Sequence, residues 1–123
     1  MQSIETDFFF AGKTHEAALY AAFAKRVEEL GRIEIRVKKT QISLVNKRTF
    51  ACVSMRRKGA LIITFGLPHC IASDRIWQAA EPYPNRWTHH VVVERQEEID
   101  DELMEWMEAA YLFAGMSGIA ETS

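Results

Sequence analysis

Apolar residues recur with a helical period near both ends of the chain. In the first stretch they lie three or four residues apart, at Leu19, Phe23, Val27 and Leu30, which predicts one amphipathic helix. Thr14 is the expected N-cap of that helix and Gly31 the glycine expected just past its end. A second helix is predicted to start at Asp100, which serves as its N-cap, and to end near Gly115.

Between the two helices the pattern changes to a period of two. Residues 32–38 alternate polar and apolar without interruption, which is typical of a strand with one buried face. Further strands are predicted at residues 42–45, 49–55, 60–67 and 87–94. All three prolines fall in residues 68–85, predicted as a long connection with room for a short helical turn at 73–80. The predicted fold is therefore α+β: an N-terminal helix, a four- to five-stranded antiparallel meander and a C-terminal helix, with the helices on one face.

Composition favours a single domain over residues 1–123, with a lead-in at 1–13 and a frayed tail at 116–123. The 123 residues are 48% hydrophobic and 26% charged, which is ordinary for a soluble globule. The two cysteines, Cys52 and Cys70, match no zinc or disulfide pattern. No apolar run is long enough for a membrane helix, and the N-terminal stretch carries acids where a signal peptide carries positive charge. We expect a cytoplasmic protein without a membrane association and without a cofactor.

Charge is segregated along the chain although the net charge is only −2. Residues 32–58 hold nine basic residues and one acidic residue, a local charge of +8, so the remainder carries −10. If the first strands pair as predicted, most of these bases meet at one end of the sheet and could bind an anion. The predicted patch consists of Arg36, Lys38, Lys39, Arg56, Arg57 and Lys58, with Arg75 and Arg86 as its extension. The competing interpretation is that bases are common in turns and on solvated strand faces.

A second candidate site lies in and after the long connection, because long loops with fixed aromatic residues are often functional. It would be a small-molecule or enzymatic pocket formed by Arg75, Trp77, Arg86, His89 and His90. His89 and His90 should point to opposite faces of a strand, so the two do not form a simple metal chelate. The alternative is a loop that folds back and closes the core with its aromatic side chains.

Signals for chemistry are weak. The sequence has no nucleophile elbow, no HExxH and no CxxC motif, so a catalytic role is less favoured and no catalytic residue is assigned. A Cys–His pair is conceivable, but a cysteine in a strand usually acts as a small hydrophobe. The acids at residues 97–108 are explained by helix capping and a solvated helix face, so no metal site is predicted; binding of iron by these carboxylates, a hard-cation role for oxygen ligands, is the minor alternative.

Short motifs spread along the chain nevertheless resemble a known family. They are KTQIS (39–43), FA (50–51), SDRIW (73–77), EP (81–82), RWTHH (86–90) and IDDE (99–102). Their order resembles the bacterial domain-of-unknown-function family 5655. The resemblance implies an α+β domain, found alone or appended to other modules, and implies no activity. More remotely, the predicted shape is similar to small frataxin-like bacterial proteins.

The sequence thus supports three hypotheses about function. The first is a non-enzymatic binding module that holds nucleic acid, a nucleotide or an acidic protein segment on the basic end of its sheet. The second is the small-molecule or enzymatic pocket near residues 68–90. The third is a homo-oligomer in which the acidic helix of one copy meets the basic sheet of another.

Overall fold

The computed structural model describes residues 3–56 and 59–116, which form three α-helices and a six-stranded sheet. The helices are α1 (Ile4–Phe9), α2 (Thr14–Val27, extended by a 3₁₀ turn at Glu28–Leu30) and α3 (Asp101–Gly115). The strands are β1 (Glu34–Val37), β2 (Ile42–Asn46), β3 (Arg48–Arg56), β4 (Ala60–Leu67), β5 (Ile76–Tyr83) and β6 (Arg86–Val93). The α+β class is confirmed. Most of the predicted tail lies outside the described residues.

The predicted lead-in contains a helix, α1. Ser3 is its N-cap, and the Ser3 hydroxyl accepts a hydrogen bond from the Thr6 amide at 3.2 Å, which satisfies one of the free donors at the helix start. Immediately after α1 the buried Phe10 ring packs 5.3 Å from the Tyr20 ring of α2. This contact anchors the C-terminal end of α1 to the core.

The predicted ends of the longer helices are accurate to within a few residues. Asp100 is the N-cap of α3, and its carboxylate accepts from the Leu103 amide at 3.0 Å. For α2 the N-cap is Lys13 rather than Thr14, and no side chain caps it. Gly31 follows the 3₁₀ turn with a φ of +149°, a backbone conformation that glycine adopts at little cost.

All strand pairs are antiparallel, but the sheet is a meander only as far as β4. The strand order is β1-β2-β3-β4-β6-β5, so β6 lies beside β4 and the extra strand β5 forms the edge. The helical turn predicted at residues 73–80 is wrong over residues 76–80, which belong to β5. The β5–β6 hairpin turns at Asn85, whose φ of +62° is one that asparagine tolerates well.

The helices occupy one face of the sheet, as predicted. Helix α3 packs against β2, β3 and β4, and α2 packs against β4. Strand β4 shows the alternation clearly, because Leu61, Ile63 and Phe65 are buried beneath the helices while Ile62 and Thr64 are only half-buried on the other side. Each fully buried side chain of this size stabilises the fold by about 1.5–3 kcal/mol. We call the face opposite the helices the open face.

The described part of the chain contains no helix that is both long and apolar enough to cross a membrane.

Candidate anion-binding surface

The antiparallel register brings the β1–β2 turn and the β3–β4 turn to the same end of the sheet. Ile42 is paired with Val53, and Arg56 with Ala60, so residues 38–41 lie at the same end of the sheet as Arg56 and Ala60. Two strand spacings separate the turns, which is roughly 10 Å. We call this the basic end of the sheet. Of the predicted patch, Arg57 and Lys58 lie outside the described residues.

The predicted cations at this end differ in how far they are already compensated. The Arg36 guanidinium donates two hydrogen bonds to the Glu34 carboxylate, at 2.7 and 3.2 Å, and this pairing raises the pKa of Arg36 and lowers that of Glu34. The Lys38 and Lys39 side chains are exposed, and the Lys38 amide closes the β1–β2 turn on the Gln41 carbonyl at 2.8 Å. Because its charge is already paired with Glu34, Arg36 should contribute less to anion binding than Lys38 or Lys39.

Arg56 extends along the open face to Trp77, a residue predicted for the other candidate site. Its guanidinium carbon lies 4.7 Å from the centre of the Trp77 ring, a cation–π contact. Because β4 and β6 separate β3 from β5, the two side chains meet across roughly 14 Å of sheet. The Trp77 side chain remains 51% exposed. The basic end of the sheet thus gains an aromatic surface.

A row of polar side chains continues from this pair across the middle of the open face. Register places Ser43, Cys52, Thr64 and His90 side by side on β2, β3, β4 and β6. The centres of the His90 and Trp77 rings are 6.4 Å apart in an edge-to-face arrangement, and the His90 Nδ1 lies 2.9 Å from the Thr64 hydroxyl. Burial lowers the pKa of His90, so the ring is neutral near pH 7.

Cys52 in this row is not an activated nucleophile. Burial raises the pKa of its thiol and outweighs the opposing effects of the Ser43 hydrogen bond and the Lys38 charge. Thr64 lies between Cys52 and His90 in the register, so no Cys–His pair forms there. The other cysteine, Cys70, is exposed, and its thiol faces the Ile71 carbonyl at 3.8 Å.

His89 points the opposite way, into the core. It is fully buried, its ring stacks on Phe65 at 5.0 Å, and Phe65 in turn stacks on Trp106 of α3. The His89 Nε2 accepts a hydrogen bond from the Ile71 amide at 3.0 Å, which ties the connection after β4 to β6. Nδ1 has no hydrogen-bond partner among the residues that the structure describes. The expectation that His89 and His90 face opposite sides is therefore correct.

Arg75 holds the start of α3 and is not part of a pocket with the histidines. Its guanidinium donates to the carboxylates of Asp100 and Glu102, at 2.9 and 3.0 Å, and to the Glu98 carbonyl at 2.7 Å. Burial alone would lower the pKa of Arg75, but these bonds outweigh it and raise the pKa. Burial alone would raise the pKa of Asp100, but the Leu103 amide and the Arg75 guanidinium outweigh it and hold that pKa below its usual value.

Arg86 lies at the opposite end of the sheet, where its guanidinium is 5.9 Å from the Tyr83 ring. The five residues of the second candidate site therefore divide into separate places. Trp77 and His90 lie on the open face, His89 in the core, Arg75 at the start of α3 and Arg86 beside the β5–β6 turn. The structure does not bring them into one pocket.

Residues 3–56 and 59–116 contain no cluster of side chains suited to binding a metal ion. Within these ranges no three His, Cys, Asp or Glu side chains lie close enough together to hold a metal ion. The acids at the start of α3 are engaged in capping and in ion pairs, for example Asp101 with Arg26 at 2.7 Å.

Comparison of the sequence with models of known protein families identifies the family of the chain. The model of the domain of unknown function DUF5655 matches residues 6–114. The chain belongs to the DUF5655 family. No curated protein and no solved structure matches the chain. Membership of DUF5655 agrees with the sequence motifs, whereas the remoter likeness to frataxin-like proteins stays a prediction.

Sequence reasoning assigned Arg56 and Trp77 to two different candidate sites, whereas the structure brings these two side chains together. Arg56 and Trp77 are twenty-one positions apart, on strands that are not sequence neighbours, and only the β4-β6-β5 order places them on one surface. One signal was available: Pro84-Asn85 suits a tight turn, because proline presets its own φ and asparagine tolerates a positive φ. A β5–β6 hairpin would have placed Trp77 on a strand instead of a loop.

Proposed function

We propose that this DUF5655 protein is a binding module without catalytic activity, and that its partner is single-stranded nucleic acid held on the basic end of the sheet. The observation that carries this proposal is the Arg56–Trp77 pair, a cation on a half-exposed aromatic ring. Single strands are bound by such combinations, in which bases stack on aromatic rings and basic side chains follow the phosphates.

The surrounding charges support a nucleic acid. Lys38 and Lys39 are exposed on the adjacent turn, and neither forms an ion pair with any residue that the structure describes. Arg56 adds a third cation. A net charge of −2 for the whole chain makes this a local surface and not a general attraction to polyanions. An acidic protein segment would also be attracted by the lysines, but its carboxylates would not stack on the Trp77 ring as nucleic-acid bases do. A cytoplasmic location is part of the same proposal.

Fluorescence anisotropy of labelled single-stranded and duplex DNA and RNA, titrated at several salt concentrations, tests the proposal. We expect saturable binding that favours single strands and weakens with salt. Each phosphate contact contributes about −0.7 to the slope of log K against log salt for a single strand. Absence of binding at low salt would refute nucleic acid as the partner.

Two matched double variants test the position of the site. Lys38→Gln with Lys39→Gln should reduce the steepness of the salt dependence by about 1.4, the value for two lost phosphate contacts. Lys13→Gln with Lys25→Gln removes the same charge from exposed positions at the start and on the surface of α2, and should leave the slope unchanged. Equal effects of the two pairs would mean that only net charge matters.

A separate variant tests the aromatic contribution. Trp77→Ala should weaken single-strand binding roughly 5- to 150-fold, the equivalent of one lost base stack, and Trp77→Phe should retain part of that affinity. Unchanged binding by Trp77→Ala together with displacement by polyglutamate would indicate an acidic protein segment as the partner.

A further inference from the structure

A small cavity lies at the end of the sheet opposite the basic end. It is bounded by the last turns of α3, the β5–β6 hairpin and the β2–β3 turn, and its volume is about 160 Å³. An engineered cavity of roughly 150 Å³ in another protein accommodates benzene. The cavity therefore has room for one small ring. It lies outside the surface assigned above to nucleic acid.

Aromatic side chains form much of the cavity wall, and small residues leave the space open. Phe50, Tyr83, Trp87 and Phe113 contribute the rings, and alanines of α3 lie between them. Phe113 is near the end of α3, whereas Tyr83 and Trp87 flank the β5–β6 turn. Such walls favour a planar, apolar ligand body, because flat rings pack well against one another.

Among the described residues, the charged part of the lining is basic. Two arginines, Arg48 and Arg86, line the cavity, and no acidic residue of residues 3–56 and 59–116 does. Arg48 already serves the helix: its guanidinium donates to the carbonyls of Phe113 and Ala114, at 3.1 and 3.3 Å. It thereby offsets the partial negative charge at the C-terminal end of α3.

Arg86 remains as the cation that a ligand would use. In the described part of the chain its guanidinium forms no ion pair, and its carbon lies 5.9 Å from the centre of the Tyr83 ring. The acid in the same hairpin, Glu81, accepts a hydrogen bond from the Asn85 amide at 3.0 Å. A guanidinium without a carboxylate partner beside an aromatic cavity suits a carboxylate ligand, which arginine can bind with two parallel hydrogen bonds.

We propose that this cavity binds a small planar aromatic carboxylate, with its ring between the aromatic walls and its carboxylate on Arg86. The proposal is independent of nucleic-acid binding, because it uses different residues at the other end of the sheet. It also gives the small-molecule hypothesis a different location from the one that the sequence suggested.

Benzoate is the probe for this site, with benzamide and cyclohexanecarboxylate as comparison ligands. Binding is followed by amide chemical shifts of the ¹⁵N-labelled full chain. We expect benzoate to shift the amides of residues 83, 85–88 and 110–114 and to bind about tenfold or more tightly than benzamide, as a charged hydrogen bond implies. Cyclohexanecarboxylate, which lacks a flat ring, should bind more weakly than benzoate.

Variants of Arg86 and Tyr83 test separately the contributions of the positive charge and of the aromatic wall to ligand binding. Arg86→Gln should weaken benzoate binding about tenfold or more while leaving benzamide binding unchanged, and Tyr83→Leu should weaken both. Arg95→Gln removes an exposed arginine elsewhere and should change neither. Both Tyr83 and Arg86 are at least partly exposed in the hairpin, so the spectra should show retained folding.

Three results would overturn the proposal: equal binding of benzoate and benzamide, benzoate shifts confined to the basic end of the sheet, or benzoate affinity unaffected by Arg86→Gln. Single-stranded nucleic acid binding by Arg86→Gln should equal that of the parent. The two proposals can therefore fail independently, because benzoate binding and nucleic-acid binding are measured separately and depend on different residues.

Discussion

Acidification should destabilise the fold through His89, the fully buried imidazole beneath α3. Burial lowers the pKa of His89 from its ordinary value of 6.5, and the neighbouring imidazoles of His69 and His90 lower it further. The carbonyls of Phe65 and Trp87 oppose this shift without cancelling it. Below pH 6.5 the unfolded chain therefore binds a proton at this position that the folded chain does not.

The size of the effect follows from linkage. Stability is fully present above pH 6.5 and decreases as the pH falls toward the folded-state pKa, by at most about 1.4 kcal/mol per pH unit for one proton. Protonation also makes Nε2 a donor, so it can no longer accept from the Ile71 amide. His90, whose pKa burial also lowers, acts in the same direction.

Urea denaturation between about pH 7.5 and 5.5, a range above most carboxylate titrations, measures this dependence through the extrapolated free energy of unfolding. His89→Gln is the informative variant, because an amide oxygen can still accept from Ile71 and does not titrate. It should be less stable than the parent at pH 7.5 but have a flatter pH dependence, and His90→Gln serves as the comparison on the open face. A parent free energy that does not change over this range, or a His89→Gln variant with the full parental slope, would refute the reasoning.

Three further predictions concern other parts of the fold. Gly31→Ala should lower the free energy of unfolding by about 1–3 kcal/mol, because a side chain there requires a strained φ and its Cβ would collide with the Tyr111 hydroxyl; thermal and urea unfolding would measure this. Arg75→Ala should cost about 1.5–3 kcal/mol, the value of hydrogen bonds to charged groups, and Arg75→Lys should not restore all of it, since lysine cannot reproduce the forked contacts with Asp100 and the Glu98 carbonyl. If acidic and basic faces pair between copies, sedimentation should detect association at low salt that disappears at high salt, whereas a single species at all salt concentrations would exclude charge-driven oligomers.

Local periodicity was sufficient to predict most of the fold. The apolar stripe of α2, the capping carboxylate of Asp100 and the alternation in β1 and β4 each depend on residues close in sequence, and each helix or strand formed where the pattern indicated. α1 was missed because six residues are too few to show a clear period. Its stability depends on Ser3 and on the distant contact between Phe10 and Tyr20.

Strand β5 was missed for a related physical reason. It is an edge strand whose side chains are mostly exposed, so the alternation of buried and exposed positions that marks other strands is weak. Pro82 and two register irregularities break its pairing with β6, and proline is usually confined to edge strands. Such a strand is specified by its partner and by its turn more than by its own hydrophobic pattern.

Strand β5 also determines where the candidate sites lie. Charge along the sequence indicated one end of the sheet, because alternate turns of an antiparallel meander lie at the same end by necessity. The aromatic partner could not be located in the same way. The β4–β5 connection carries the chain past β6, and that crossing decides whether Trp77 faces the basic end or covers the core. Both proposed sites depend on the resulting hairpin: its first residues bring Trp77 to Arg56, and its turn brings Tyr83 and Arg86 to the end of α3.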